Sequence, residues 1–460
     1  MSDLVVANGI VVAGGQAEAA DVVVSDGRIV DITDPGTGRG DEIVDAAGRI
    51  VLPGGVDAHV HFLIGFMGQR SVYDFYSGTV AALRGGVTTV IDFALQRRGR
   101  GLVEGLKHRR VQADRHVATD YGLHLIVTDV HPESCAEIPA LSNLGVTSLK
   151  VYTTYAREQL KVEDGPLFDL MQAAGRHGTM VGLHAENDSI IEHETAKCLA
   201  RGEVSPRGHA LSRPLVSETE AVARALLLAE AAACPLHIFH LSSGHGLDHL
   251  AAARAKGQPV FAETCTHYLA LTEACYDRPQ AHLYVMSPPL RAHDQQERLW
   301  AGLQRGELAA VTSDDASYSA AAKQPGDGTF QSIANGVPGV EARLPLLYSL
   351  GVDQGWLDLP RLAEVFSTWP ARLFGLAPEK GSIAIGADAD LVIIDAETER
   401  VITAASHFGD IGYSPYEGMA LKGWPVATVR RGQVSVTEGT FHGRAGDGRF
   451  LERRRPDLTV

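Results

Sequence analysis

The chain has 460 residues, about three times the length of an ordinary domain, so it has room for one large barrel with an appendage or for several smaller domains. Hydrophobic residues make up 45% and charged residues 21% of it, a globular composition that excludes collagen, coiled-coil and disordered classes. The net charge of −15 disfavours nucleic acid and anionic membranes as partners.

The termini and the cysteines favour a soluble protein of the cytoplasm. The chain opens with Met1-Ser2-Asp3-Leu4, which lacks the basic and apolar regions of a secretion signal, and no later stretch is apolar enough to span a membrane. The cysteines show no CxxC spacing, so we expect reduced thiols that are mostly buried. They are Cys135, Cys198, Cys234, Cys265 and Cys275.

Both ends of the chain predict β-structure. Residues 1–52 alternate short β-branched runs with Gly and Asp turns such as Asn8-Gly9 and Asp26-Gly27, and this texture returns in residues 376–460. We therefore predict that the two ends pair into a small β-sandwich.

The middle of the chain, residues 53–375, alternates short apolar runs with Ala- and Leu-rich helical stretches, a pattern typical of repeated βα units. Eight runs qualify as strands: 55–58, 88–93, 121–127, 147–152, 180–184, 236–240, 260–264 and 309–313. Eight such units predict a (β/α)8 barrel, in which catalytic groups lie at the carboxyl ends of the strands.

The first predicted strand ends in His59-Val60-His61. Because side chains alternate along an extended strand, the two imidazoles point to the same side and can meet one ion. Such a pair alone is also typical of packed or exposed histidines. The residues at the other strand ends must therefore distinguish a metal site from histidines without a ligand role.

Three further strand ends carry side chains that can bind metal: His184, His240 and Asp314. Neutral imidazoles together with a carboxylate suit Zn²⁺, Mn²⁺ or Fe²⁺. Each histidine could instead be a satisfied core residue, but four imidazoles and a carboxylate at equivalent barrel positions favour a metal site.

Lys150 lies near the end of the fourth predicted strand, among apolar neighbours. An ammonium group there would repel a metal, whereas a carbamate formed with CO2 could bridge two ions. The alternative is a barrel lysine that pairs with a carboxylate.

These residues stand in segments that resemble the cyclic amidohydrolases of the hydantoinase/dihydropyrimidinase family. The resemblance covers nearly the whole chain. The matching segments are 53–61 (PGGVDAHVH), 85–93 (GGVTTVIDF), 149–152 (LKVY), 184–187 (HAEN), 262–269 (AETCTHYL), 286–291 (MSPPLR), 335–341 (NGVPGVE), 370–375 (PARLFG) and 386–391 (GADADL).

The resemblance implies a binuclear metal centre, most commonly with zinc. His59, His61 and Asp314 would hold one ion and His184 and His240 the other, with N6-carboxylated Lys150 and a hydroxide between them. It also implies that Tyr155 donates to the carbonyl oxygen under attack, that Asp314 moves the proton, and that Ser287 and Asn335 hold the ring amide through their main chains.

The function implied is hydrolysis of the ring amide of a hydantoin or dihydropyrimidine to the N-carbamoyl amino acid, by a homodimer or homotetramer. The alternatives are another cyclic ureide or imide as substrate, as in allantoinase, a non-catalytic scaffold like the dihydropyrimidinase-related proteins, and a mononuclear deaminase. The complete set of ligand residues argues against the scaffold.

Three features bear on substrate choice. Asp315 follows Asp314 where the family commonly has histidine, and its carboxylate could alter the local field or face solvent. Residues 62–68 (FLIGFMG) predict a wall for apolar or uncharged ring substituents, or else only bury a loop or a subunit contact. Residues 323–339, rich in Gly and Pro, predict a mobile loop.

Overall fold

The computed structural model describes residues 2–456 and 458. Its first five strands belong to the predicted terminal domain. Asn8 and Asp26 adopt positive φ, and Asp26 lies in the turn between the second and third strands, as its Asp-Gly pair predicts. The five strands are β1 Leu4–Ala13, β2 Gln16–Ser25, β3 Arg28–Thr33, β4 Glu42–Asp45 and β5 Ile50–Pro53.

The middle of the chain forms the predicted barrel. Among the described residues, eight parallel strands pair in one continuous order, and their residues are almost all buried, as expected for a parallel sheet covered on both faces. They are β6 Gly55–Asp57, β9 Val87–Leu95, β10 Asp120–Ile126, β11 Ser148–Tyr152, β12 Met180–His184, β13 Leu236–Ile238, β14 Val260–Cys265 and β15 Ala310–Thr312. A hairpin of β7 Gly65–Phe66 and β8 Gln69–Arg70 follows β6.

Helices connect these strands and continue beyond the barrel. The first begins with a capping box in which the Asp74 side chain accepts from the Ser77 backbone N–H. The helices are α1 Phe75–Arg84, α2 Leu102–Ala113, α3 Pro132–Ala136, α4 Ile138–Asn143, α5 Asp164–Arg176, α6 Asp188–Ala200, α7 Pro206–Ser212, α8 Leu215–Ala231, α9 Gly244–Arg254, α10 Thr266–Ala270, α11 His293–Gln304, α12 Arg343–Leu347, α13 Leu359–Ala363 and α14 Trp369–Leu373. Within the described residues, no helix combines the length and hydropathy needed to cross a membrane.

The C-terminal strands complete the β-rich domain predicted from the two chain ends. They are β16 Leu391–Asp395, β17 Arg400–Val401, β18 Ala420–Leu421, β19 Trp424–Arg430, β20 Gln433–Thr437 and β21 Thr440–Phe441. Antiparallel pairing of β16 with β5 joins the two ends into one sheet, with nine strands among the described residues. The sheet curls so that Gly27 lies against Arg431, and it encloses a core of its own. The domain boundaries at residues 52 and 375 stay predictions.

A buried arginine closes the seam between the first and last barrel strands. The Arg343 Nη1 donates to the carbonyl oxygens of Val56 at 3.2 Å and Val311 at 2.8 Å, and its Nε lies 3.6 Å from Asp57 Oδ2. Beyond the strands, the backbone N–H of His61 donates to the carbonyl of Asp315 at 2.8 Å. The barrel is therefore closed at its carboxyl end, where the first and last candidate ligands meet.

The C-terminal segment covers the opposite end of the barrel. Leu451 donates its backbone N–H to Tyr121, and the buried side chain of Arg453 donates to Ser148 Oγ at 3.0 Å. Both partners lie where barrel strands begin. This packing leaves the carboxyl ends of the strands as the end that a ligand can reach.

Candidate metal centre and substrate cavity

The six predicted metal ligands lie at the carboxyl ends of the barrel strands. His59 and His61 follow β6, Lys150 lies within β11, and His184 is the last residue of β12. His240 and Asp314 stand two residues beyond β13 and β15. Five separate strands therefore bring these side chains to one mouth.

The candidate ligand atoms of His59, His61 and Asp314 are within contact distance of one another. The Nε2 atoms of His59 and His61 are 3.2 Å apart, and they lie 3.1 and 3.3 Å from Asp314 Oδ1. The Lys150 Nζ lies 2.8 Å from His59 Nε2. One ligand atom each from His59, His240 and Asp314 falls within 4.8 Å of the others. A divalent cation is the group that such converging lone pairs fit.

A buried glutamate orients His59. The His59 Nδ1 donates to Glu263 Oε1 at 2.5 Å, and the other carboxylate oxygen accepts from His237 Nε2 at 3.2 Å. With the proton held at Nδ1, the lone pair of His59 Nε2 faces the mouth. This carboxylate–histidine arrangement is the usual support of a metal-binding imidazole.

His184 and His240 form the other half of the cluster, with ring centroids 4.5 Å apart. The His184 Nε2 donates to Glu186 Oε2 at 2.7 Å, which leaves Nδ1 as its free ligand atom. Burial would raise the pKa of Glu186, but the adjacent Arg213 guanidinium lowers it to about 2. The buried His240 Nδ1 has no hydrogen-bond partner among the described residues.

Burial sets the protonation of the cluster. Desolvation lowers the pKa of His59, His61, His184 and His240, so their imidazoles stay neutral and can act as ligands. Desolvation also lowers the pKa of Lys150 to about 8. The Lys150 Nζ lies 4.3 Å from the ring centre of Phe93 and 4.8 Å from that of Phe239. Near neutral pH an appreciable fraction of this amine is therefore uncharged.

Three of the predicted catalytic and metal-binding residues have left-handed backbone conformations. The φ angles are 68° at Tyr155, 39° at His240 and 47° at Asp314. Such conformations carry a cost of about 1–3 kcal/mol each and concentrate where a side chain must be aimed at a ligand.

The three predicted substrate contacts form one hydrogen-bonded group beside the metal ligands. The Asn335 Nδ2 donates to Tyr155 Oη at 3.1 Å and to Ser287 Oγ at 3.0 Å. The Tyr155 ring centre is 5.3 Å from that of His184. Desolvation raises the pKa of Tyr155, so its hydroxyl keeps its proton. Because Asn335 satisfies the Tyr155 oxygen, the hydroxyl hydrogen is available to another acceptor.

A buried lysine anchors the loops that carry these contacts. The Lys323 Nζ donates to the carbonyl oxygens of Val285 and Gly336 at 2.7 Å and of Ala334 at 2.9 Å. The predicted loop 323–339 is thus tied down at its first residue and again around Asn335. The stretch is largely irregular, as its Gly and Pro content predicted, whereas its mobility stays a prediction and the anchor was not foreseen.

Asp315 does not face solvent, so that interpretation is wrong. Its side chain is 1% exposed, and Oδ2 accepts from the backbone N–H groups of Gly339 at 2.8 Å and Val340 at 3.1 Å. Oδ1 accepts from Ser317 Oγ at 2.6 Å. Asp315, which stands where the family commonly has histidine, therefore links the end of the last barrel strand to the loop after Asn335.

A cavity of about 640 Å³ opens over the site and reaches Lys150, Tyr155 and Asp314. This volume suits a ring with a sizeable substituent. Of residues 62–68, the five that line the cavity are Leu63, Ile64, Gly65, Phe66 and Met67. Phe62 instead packs against Gly78 of α1, so for Phe62 the loop-burying interpretation is correct.

Glu263, Glu186, Arg213 and Lys323 support the site but were given no role by the sequence. Glu263 lies on a barrel strand and Glu186 lies two residues beyond His184, so a charged residue near a strand end was the available signal. Apart from the contact of Glu186 with His184, their partners are distant in the sequence, and no spacing rule reveals those contacts.

We expect Glu263→Gln to weaken divalent metal binding about 10–100-fold, because the amide fixes the His59 ring less firmly than the carboxylate does. Titration of the metal-free protein with Zn²⁺ measures this. The exposed Glu273→Gln is the control. Equal affinities in the two variants would contradict the role of Glu263.

A second expectation concerns His209, which donates from Nε2 to the carbonyl of Met286 at 2.8 Å, beside Ser287. Burial, followed by the nearby Arg213, lowers the pKa of His209 from 6.5 to about 3. The unfolded chain therefore binds one more proton than the folded chain between these pH values, so this contribution to stability is present above pH 6.5 and falls with decreasing pH.

Between about pH 6.5 and pH 4.5, the native protein should lose about 2 kcal/mol of unfolding free energy relative to His209→Gln. Denaturant unfolding of both proteins across this range measures the difference. A gap that does not change with pH would show that His209 takes up its proton without cost.

Comparison with known proteins agrees with this fold. Residues 50–435 match the Amidohydrolase family. The chain is 39% identical over 456 residues to a D-hydantoinase of Ralstonia pickettii, covering 98% of this chain and 99% of that protein. It is 41% identical over 456 residues to a D-phenylhydantoinase of Escherichia coli, covering 98% of each. A dihydropyrimidinase of Brevibacillus agri superposes with a TM-score of 0.96 at 35% identity, covering 99% of this chain and 100% of that one.

The barrel, the ligand cluster and these matches define an amidohydrolase. Within that class the chain belongs to the hydantoinase/dihydropyrimidinase family, as its motifs predicted.

Proposed function

We propose that the protein hydrolyses the ring amide of a 5-substituted hydantoin or a dihydropyrimidine to the N-carbamoyl amino acid. The observation that carries this is the juxtaposition of Tyr155, Asn335 and Ser287 with the converging lone pairs of His59, His61 and Asp314. The group of His59, His61 and Asp314 suits polarisation of the carbonyl group and proton transfer. The group of Tyr155, Asn335 and Ser287 suits binding of a planar amide.

The residues that would hold two divalent cations, with zinc favoured, are His59, His61 and Asp314 for one and His184 and His240 for the other. N6-carboxylated Lys150 would lie between them. Bound there, such ions supply Lewis-acid polarisation and lower the pKa of water. The lone-pair geometry of the cluster and the lowered pKa of Lys150 support this assignment.

Tyr155 would donate its hydroxyl proton to the carbonyl oxygen as negative charge develops there. Its position favours the transition state over the ground state, because the acceptor becomes stronger as the tetrahedral carbon forms. Its raised pKa keeps the donor protonated.

Asp314 would accept a proton from the attacking water and deliver it to the ring nitrogen as the C–N bond breaks. Burial would raise the pKa of Asp314, but its contact with His61 and nearby positive charge lower it, so the group begins as a carboxylate. Ring opening keeps the leaving nitrogen tethered within reach of the acid.

The ring amide would be held by the main chains at Ser287 and Asn335. The Asn335 main chain lies between the two carbonyls, of Ala334 and Gly336, that Lys323 fixes. The ring substituent would then lie against Leu63 and Phe66, an apolar wall that favours uncharged groups next to the ring.

A panel of substrates tests this proposal, with loss of ring absorbance as the readout. We expect the highest kcat/KM for dihydrouracil or for 5-phenyl- and 5-benzylhydantoin, and lower values for allantoin and for dihydroorotate, whose carboxylate is attached directly to the ring. A preference for dihydroorotate would contradict the pocket argument, and a preference for allantoin would favour the allantoinase-like alternative.

A homodimer or homotetramer and a cytoplasmic location remain part of the proposal. Sedimentation of the purified protein at several concentrations tests the first, and fractionation of the source cells tests the second.

A further inference from the structure

The substrate cavity extends well beyond the apolar wall. On the side of β9 and α2 it is lined by Leu95, Arg97, His108, Arg109 and Gln112. Its volume of about 640 Å³ leaves room past a five- or six-membered ring and a simple side group. The ring substituent of a bound substrate therefore has access to the side chains at this far end of the cavity.

The backbone explains why a cation stands there. Phe93, Leu95 and Arg97 alternate on one side of β9 and its extension, and all three line the cavity. The ladder continues past the strand, since Gln96 donates its backbone N–H to Ile126 at 3.0 Å. Phe93 stacks on His61 with ring centres 4.6 Å apart, so Arg97 lies about 13 Å along the same line from the metal end.

Helix α2 supplies the second wall. Gly105, His108, Arg109 and Gln112 recur at helical spacing and form one face toward the cavity. A Cβ at Gly105 would lie 2.7 Å from the carbonyl oxygen of Leu95, so glycine is what allows the helix to approach the strand end. The approach brings His108 Nε2 to 3.5 Å from Arg97 Nη2.

The positive charge at this end is concentrated and only partly paired. Residues 97–110 carry six Lys and Arg against one acid, Glu104, in a chain whose net charge is −15. Arg109 is neutralised by Asp92, and Arg100 pairs with Glu104. Among the described residues, no carboxylate lies within ion-pair distance of Arg97.

One carboxylate besides Asp314 lines the cavity, that of Glu158. Its charge helps to raise the pKa of Arg213, and among the described residues it forms no ion pair with Arg97. Arg97 therefore remains the cation with unsatisfied charge at the far end.

We propose that Arg97, assisted by His108, binds a carboxylate at the distal end of the substrate's ring substituent. The substrate class is a cyclic ureide with an apolar spacer, such as a phenyl ring, ending in a carboxylate. The apolar wall of Leu63 and Phe66 faces the spacer, and Arg97 faces the charge. This inference rests on the proposed function.

The test compares 5-(4-carboxyphenyl)hydantoin with 5-phenylhydantoin. We expect the native protein to favour the carboxylate about three- to fivefold in kcat/KM, as one solvent-exposed charge-assisted contact provides. Arg97→Gln should bring this ratio close to one, and Arg97→Glu should favour 5-[4-(aminomethyl)phenyl]hydantoin instead. The control is Arg100→Gln, which removes the same charge from a side chain outside the cavity and should leave the ratio unchanged.

No preference in the native protein, or an equal fall of the ratio in the Arg97 and Arg100 variants, would overturn the inference. If the native protein hydrolyses neither hydantoin, the proposed function fails. The ratio of Kd values of the same two compounds, measured by calorimetry on the native protein and Arg97→Gln, then still decides the role of Arg97.

Discussion

Replacing Lys150 by alanine is expected to lower kcat/KM for a cyclic amide by at least about a thousandfold, or about 4 kcal/mol of transition-state stabilisation. The reason is position: the Lys150 Nζ lies 2.8 Å from His59 Nε2, inside the ligand cluster. Alanine leaves a cavity there and removes the group that would bridge two cations. Initial rates with 5-phenylhydantoin measure the loss.

Acetate or propionate is expected to restore part of the activity of Lys150→Ala, because a small carboxylate can enter the vacated space and replace the carbamate. Lys107→Ala, which removes an exposed lysine, should keep native activity and show no response to acid. A Lys150→Ala protein that retains most of its activity would contradict the bridging role. Rescue by a short alkylamine in place of an acid would point to a function of the amine itself.

Tyr155→Phe is expected to lower kcat about 10²–10³-fold, with a much smaller change in KM. The hydroxyl is a donor used as the carbonyl oxygen gains charge, so its loss affects the transition state more than the bound substrate. Steady-state kinetics on 5-phenylhydantoin separate the two constants.

Tyr318→Phe is the matched control, since Tyr318 lines the same cavity but its buried hydroxyl has no hydrogen-bond partner among the described residues. We expect a far smaller effect on kcat from Tyr318→Phe. If Tyr155→Phe raised KM and left kcat unchanged, Tyr155 would be a binding group with no part in the chemistry.

The barrel was predictable because its strands are short apolar runs at regular spacing. All eight predicted strands are confirmed, and no end is displaced by more than two residues. The gathering of His59, Lys150 and Asp314 followed from one rule, that parallel barrel strands present their carboxyl ends at one mouth. The roles assigned to these residues stay predictions.

The supporting contacts were not predictable, because each joins residues far apart in the sequence through tertiary packing. Arg343 closes the seam between β6 and β15, and Lys323 holds three carbonyls from two loops. Asp315 had the sequence position of a solvent-facing residue, and only the packing of Gly339 against it shows that it is buried. A charged residue in a loop is usually exposed, which is why exposure to solvent was one of the two alternatives at Asp315.

We propose that six side chains from five barrel strands hold a pair of divalent cations that the hydrolysis requires. Metal analysis of the protein purified with zinc and bicarbonate, combined with the rate of hydantoin hydrolysis, tests it most directly. We expect close to two ions per chain, with activity lost when they are chelated and recovered when they are returned. One ion per chain would fit a mononuclear deaminase and none a scaffold, and full activity without metal would rule out a metal-dependent hydrolysis.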